Sequence, residues 1–159
     1  SRLLPPWQNC TTSGREPDGK IYMGPSGEAF KVFDIKDGYG IHEILSKRCV
    51  KTAIITGRVS DIVEKRAKEL EIDYVLQGVK DKNSAMHNLA KELQCELSEA
   101  AYIGDDTMDI PAMRLCAVKG CPADAVSEVK EICDYVSTRS GGNGAVRDFI
   151  EWLVKEGLI

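Results

Sequence analysis

The sequence predicts an α/β fold, a Rossmann-like doubly wound parallel sheet, from two recurring features and one absence in its 159 residues. Short, uninterrupted apolar runs of β-forming residues recur along the chain, and stretches with apolar side chains at helical spacing separate them. No repeat, low-complexity tract or linker divides the chain, so a single domain over residues 1–159 is expected. Continuous apolar strands alternating with amphipathic helices are what a parallel sheet covered on both faces requires.

The elements follow in order. Residues 20–33, "KIYMGPSGEAFKVF", carry two β-rich runs around Gly24-Pro25-Ser26-Gly27 and predict a β-hairpin. "DIKDGYGIHEILSK" then starts a helix with Ile41, Ile44 and Leu45 inward. "TAIIT" (Thr52–Thr56) is a buried strand, after which Val63, Ala67 and Leu70 share one helical face. "DYVLQG" (Asp73–Gly78) is the next strand, followed by Ala85, Leu89 and Leu93 at helical spacing. "AAYIGD" (Ala100–Asp105), "CAVKG" (Cys116–Gly120) and "DYVST" (Asp134–Thr138) continue the series, and Val146, Phe149, Ile150 and Leu153 mark the last helix. A hairpin placed directly after the first strand is an unusual insertion in such a fold.

Composition narrows the function classes. With 43% hydrophobic and 29% charged residues and a net charge of −4, the chain has neither a basic stripe for nucleic acid nor a polybasic patch for a membrane. No apolar run is long enough to span a bilayer, and "SRLLPPWQ" lacks the core of a secretory signal, so a cytoplasmic protein is expected. The chain starts without Met, as a fragment, processed product or trimmed chain would. Its six cysteines form no CxxC pair and lie far in sequence from His42 and His87, which favours reduced thiols acting as small apolar groups over a zinc site.

Open α/β sheets bind ligands at the carboxyl ends of their strands. There, "ITGR" (Ile55–Arg58) offers the Thr56 hydroxyl, a flexible Gly57 and the Arg58 guanidinium, either a phosphate cradle or simply a strand end with a helix cap. "QGVKDK" places Lys80 and Lys82 at the next strand mouth, as anion-neutralising groups or as solvated lysines. "YIGDDTMD" follows a buried strand with Asp105, Asp106 and Asp109. Carboxylates this close repel, and a hard cation such as Mg²⁺ relieves the repulsion; an N-cap role can absorb one of the three. A hydroxyl, a cation and a carboxylate-held metal are the parts needed for phosphoryl transfer by positioning and charge neutralisation.

With these motifs, "DGKIYMGPSGEAFKVFDIKDGYGI", "AIITGR", "LQGVKDK", "AYIGDDTMD", "GCPADA" and "GGNGAVRDFIEWL", the chain resembles the haloacid dehalogenase superfamily, and within it the 3-deoxy-D-manno-octulosonate 8-phosphate (KDO 8-phosphate) phosphatases. The resemblance runs from Asp18 to the C-terminus. It implies a Mg²⁺-dependent phosphomonoesterase of lipopolysaccharide biosynthesis, acting on an acidic sugar phosphate through an aspartyl-phosphate. Thr56 would bind the phosphoryl group, Lys82 would neutralise it, and Asp105 would ligate Mg²⁺ with support from Asp109. Asp37, Gly57, Arg58, Gly78 and Arg147 would belong to the substrate-binding set. The hairpin would be a small cap packed within a homotetramer, and the Gly-rich tail at 139–159, with Gly141, Gly142 and Gly144, would close over a neighbouring site.

One motif departs from the family. Counting back from Asp18-Gly19, the nucleophile aspartate falls on Thr11 and the acid/base aspartate on Ser13, so both carboxylates are absent, while Gly14 matches. Pro5 and Pro6 in the apolar run before them remove ladder donors and argue against a central first strand. Residues 1–17 are thus anomalous, and the chain as written is expected to be inactive. Several explanations fit. The segment can be a sequence artefact: codons for Ser13–Pro17 can be chosen so that a one-base slip reads Leu-Asp-Gly-Asn-Leu. It can instead mark a non-catalytic oligomerisation domain like those fused to sialic acid cytidylyltransferases. A sialic acid 9-phosphate phosphatase is an alternative substrate reading, and a receiver-like binding module is disfavoured by the hairpin and Gly-rich tail.

Overall fold

The computed structural model describes the backbone of residues 10–13, 22–24 and 27–30 and the whole of residues 34–159. Six parallel strands form the sheet, in the order β5-β4-β1-β6-β7-β8. They are β1 (Cys10–Ser13), β4 (Thr52–Ile55), β5 (Tyr74–Leu76), β6 (Ala100–Ile103), β7 (Val118–Cys121) and β8 (Tyr135–Val136). The chain winds outward from β1 in both directions, which places the topological switch point between β1 and β6. β2 (Tyr22–Gly24) and β3 (Gly27–Phe30) pair antiparallel as a separate two-stranded sheet, the expected hairpin, with an irregular register between Tyr22 and Met23.

The first strand corrects the expectation drawn from the prolines. A central strand does form, but over Cys10–Ser13, past Pro5 and Pro6, which lie outside the described residues. Its register sets Thr11 opposite Thr52 and Ala101, and Ser13 opposite Ile54 and Ile103.

Alternation within the strands builds two cores. Ala53, Ile55, Ala100 and Tyr102 face one side, where α3 (Lys82–Leu93), α4 (Ile110–Leu115) and α5 (Ser127–Ile132) cover them with Met86, Leu89, Met113 and Val129. Ala101, Ile103 and Val118 face the other, under α6 (Ala145–Lys155) with its Val146, Phe149, Ile150 and Leu153. On that same face Ile54 meets α2 (Asp61–Glu69) at Val63 and Ala67. The predicted helix after the hairpin forms as α1 (Ile35–Tyr39), capped by Asp34, and runs on as a π-helical stretch over Gly40–Leu45. α6 approaches β7 so closely that a Cβ on Gly120 would collide with the Phe149 ring. Among the described residues no helix is long and apolar enough to cross a membrane.

Candidate active site

The loops leaving β4, β5 and β6 carry the predicted residues, and hydrogen bonds join them in pairs. After β4, the Thr56 amide donates to the Leu76 carbonyl at 2.9 Å, and the Thr56 carbonyl accepts from Val79 at 3.0 Å. Its hydroxyl oxygen accepts from the Arg58 amide at 3.3 Å, closing a tight turn around Gly57. Gly78 sits in the left-handed region (φ +67°), and a Cβ there would stand 3.2 Å from Val59, so glycine suits the close packing of the two loops. Ser60 donates its amide to Gln77 Oε1 at 2.7 Å, and Gln77 in turn donates to Glu64 at 3.0 Å. Because α2 begins at Asp61, Thr56 and Gly57 are too far upstream to be its cap. The helix-cap alternative for "ITGR" therefore falls away.

The three carboxylates after β6 divide into different roles. Asp106 caps the 3₁₀ turn Thr107–Asp109, its Oδ1 accepting from the Thr107 amide at 2.7 Å and hydroxyl at 3.3 Å. Asp109 is buried and saturated. Its Oδ1 accepts from Lys82 Nζ at 2.6 Å and from the Tyr102 hydroxyl at 2.8 Å. Its Oδ2 accepts from the amides of Asp105 at 3.1 Å and Asp106 at 3.2 Å. Four donors thus occupy the Asp109 oxygens, two of them the amides of the Asp105–Asp106 turn. Asp105 is half-buried at the strand tip, and its carbonyl accepts from Val126 at 3.0 Å. Among the described residues no cluster of three or more His, Cys, Asp or Glu could hold a metal by itself. Oxygen donors of this kind suit Mg²⁺, which keeps several waters and needs only one or two carboxylates beside a phosphate.

Gly104 makes this packing possible. A Cβ there would lie 2.8 Å from both Asp109 Cβ and Met113 Sδ. The Lys82–Asp109 pair, with side chains only 13% and 4% exposed, joins the loop after β5 to the loop after β6. β4 and β1 lie between those strands in the sheet, so the pair spans the mouth of the switch-point crevice.

β1 is the exception. With Ser13 opposite Ile54 and Ile103, its described residues end two positions below the level of Thr56 and Asp105, and Thr11 lies four positions below. At roughly 3.3 Å per residue, Thr11 is about 13 Å behind the tips. The level of the tips corresponds to residue 15, outside the described residues.

Asp37 and Arg147 come together with each other. The Asp37 carboxylate, 1% exposed, caps the start of α6, accepting from the amides of Arg147 at 2.9 Å and Gly144 at 3.3 Å. Burial holds its pKa above the ordinary carboxylate range, and the amide donors pull it back only in part. The Arg147 guanidinium stacks 4.6 Å from the Tyr39 ring centroid and donates to Glu151 at 2.7 Å. The glycine-rich segment is the turn that feeds α6: Gly141 donates to Asp124 at 2.9 Å, and Gly144 takes φ +94°. Arg58 and Lys80 are exposed on the rim.

Tyr102 is the residue that sequence reasoning missed. It reads as one more apolar position in "AAYIGD", yet a buried phenol needs a partner, and a tyrosine two residues before a Gly-Asp pair was the available signal. Burial, with the adjacent Asp109 charge, pushes its pKa far above the normal phenol value, so it stays a neutral donor.

Comparison with known proteins agrees on the family and the fold. Residues 65–150 match the haloacid dehalogenase-like hydrolase family. The 3-deoxy-D-manno-octulosonate 8-phosphate phosphatase of Yersinia pestis is 40% identical over 145 residues, covering 91% of this chain and 77% of that protein. The crystal structure of the Moraxella catarrhalis phosphatase of the same name, in complex with magnesium, phosphate and KDO, superposes with a TM-score of 0.87 at 38% identity, over 93% of this chain and 87% of that one. The cobalt-bound enzyme of Haemophilus influenzae gives 0.88 at 32% identity, over 95% and 91%.

Proposed function

This chain belongs to the haloacid dehalogenase superfamily, in its KDO 8-phosphate phosphatase family, and we propose that its switch-point crevice is a Mg²⁺-dependent phosphomonoester site for an acidic sugar phosphate whose hydrolytic step the chain as written does not perform. The observation that carries this reading is the buried Lys82–Asp109 pair, which holds an ammonium at the mouth of the crevice beside the Asp105 loop. In this reading Lys82 neutralises the phosphoryl oxygens, the Thr56 hydroxyl and the Gly57 turn orient them, and Arg58 and Gly78 border the sugar. Asp105 would hold Mg²⁺, which supplies charge neutralisation to the phosphate when bound. Asp37 and Arg147 support the wall of the crevice through α1 and α6.

Neither slot for the attacking and acid carboxylates holds an aspartate. Thr11 and Ser13 occupy the slots that the family fills with aspartates, and a hydroxyl without an adjacent base is a poor nucleophile. Removing a nucleophile costs catalysis many orders of magnitude. The double variant Thr11→Asp/Ser13→Asp tests the reading. With Mg²⁺ it should release phosphate from KDO 8-phosphate faster than from sialic acid 9-phosphate, and the unmodified chain should release none from either. A folded but inactive double variant would overturn the assignment of positions 11 and 13. A non-catalytic assembly role, in a homotetramer, is favoured by the same two substitutions. It predicts a tetramer by light scattering that gains no activity from the aspartates.

A further inference from the structure

We infer that Tyr102 is a positioning residue for the phosphoryl-binding cation: its hydroxyl, acting through Asp109, fixes where Lys82 holds its ammonium. The inference rests on the phosphoryl-site reading and adds a residue to it.

Three observations converge. Tyr102 is fully buried, and its hydroxyl donates at 2.8 Å to the same Asp109 oxygen that receives Lys82 at 2.6 Å. The two donors approach one oxygen from different elements, Tyr102 from the middle of the sheet and Lys82 from the first turn of α3. The ring packs in the core cluster that also holds Met86, one helical turn beyond Lys82 on the same face of α3. Ring and hydroxyl thus fix both the helix that carries the lysine and the carboxylate that receives it. The other Asp109 oxygen is bound by the two amides of its own loop and cannot follow a swinging ammonium. A hydroxyl needed only for its own burial could have been satisfied by a backbone carbonyl. This one is spent on the carboxylate that pairs with Lys82.

Tyr102→Phe keeps the ring and its packing and removes only the donor, and a cooperative melt checks that the variant folds. Two readouts follow in the full-length chain. In limited acetylation read by mass spectrometry, the modification rate of Lys82 relative to exposed Lys80 should rise at least threefold in the Phe variant; an unchanged ratio overturns the inference. In calorimetric titration with inorganic phosphate and Mg²⁺, the Phe variant should bind 3–10-fold more weakly than the unmodified chain. In a Lys82→Ala background the same change should cost no further affinity, because Tyr102 acts through Lys82. An equal loss in both backgrounds would make the hydroxyl merely structural and overturn the inference. If the unmodified chain itself does not bind phosphate, the phosphoryl-site reading falls, and the acetylation ratio alone decides the role of Tyr102.

Discussion

The loops after β4, β5 and β6 contrast with the strand that runs between them. Those three loops are fastened to one another: Thr56 to Leu76 and Val79, Gln77 to Ser60, Lys82 to Asp109, and Asp109 to the amides of Asp105 and Asp106. β1 joins β4 and β6 through parallel backbone ladders, and its described residues end at Ser13, two positions below the level of Thr56 and Asp105. The bonds that hold this frame run between the three loops themselves. A frame satisfied by its own hydrogen bonds survives loss of the nucleophile, because none of those bonds ends on the nucleophile.

The sharpest way to break the contrast is to remove the hub of the frame. Asp109→Ala leaves the Lys82 ammonium, the Tyr102 hydroxyl and two loop amides without their acceptor, and should cost about 3–5 kcal/mol in urea unfolding, as breaking a buried pair does. A loss below 1 kcal/mol would mean that the pair is not buried in solution. Gly104→Ala attacks the same hub by volume. Its methyl would meet Asp109 and Met113 at 2.8 Å and should cost about 1–3 kcal/mol.

Asp37→Ala should cost about 1–2 kcal/mol by uncapping α6. The pH dependence carries a definite sign. Burial raises the folded-state pKa of Asp37 above its unfolded value, so the folded chain binds the extra proton in the window between them. The contribution of Asp37 is therefore full below the ordinary carboxylate range and is lost as pH rises through the raised folded value. Urea midpoints for the unmodified chain and Asp37→Asn, measured across that window, should diverge on acidification; parallel curves would contradict the burial. The smallest effect belongs to the exposed side of α6, where Glu151→Ala breaks a partly exposed i,i+4 pair with Arg147 and should change stability by no more than about 0.5 kcal/mol.

Much of this was legible in the sequence because it is local. Uninterrupted runs such as "TAIIT" and "AAYIGD" became β4 and β6, since their residues alternate between two apolar faces and both faces are covered. The strand-end loops were legible because glycine, hydroxyl and charge do not cluster at strand ends without cause. Spacing alone could not rank three aspartates within five residues: only the fold makes Asp106 a cap, Asp109 a hub and Asp105 the tip. The hydrogen-bond partners of Asp37 lie 107 and 110 positions away, at the start of α6, a pairing no local pattern encodes. The prolines argue against a first strand, yet one forms over Cys10–Ser13, because their missing donors bear only on their own positions, which lie outside the described residues. That register has a consequence for restoration. Aspartates at 11 and 13 reach the tips only if β1 slides by up to four residues, and a slip of four, being even, keeps each side chain on its own face.

Phosphate titration of the unmodified chain tests the central claim most directly. Calorimetry with inorganic phosphate should show one saturable site that requires Mg²⁺ and disappears in Lys82→Ala, while KDO 8-phosphate incubated with the same chain stays intact. Absence of saturable binding, or binding indifferent to both Mg²⁺ and Lys82, would contradict a preserved phosphoryl frame around a missing nucleophile.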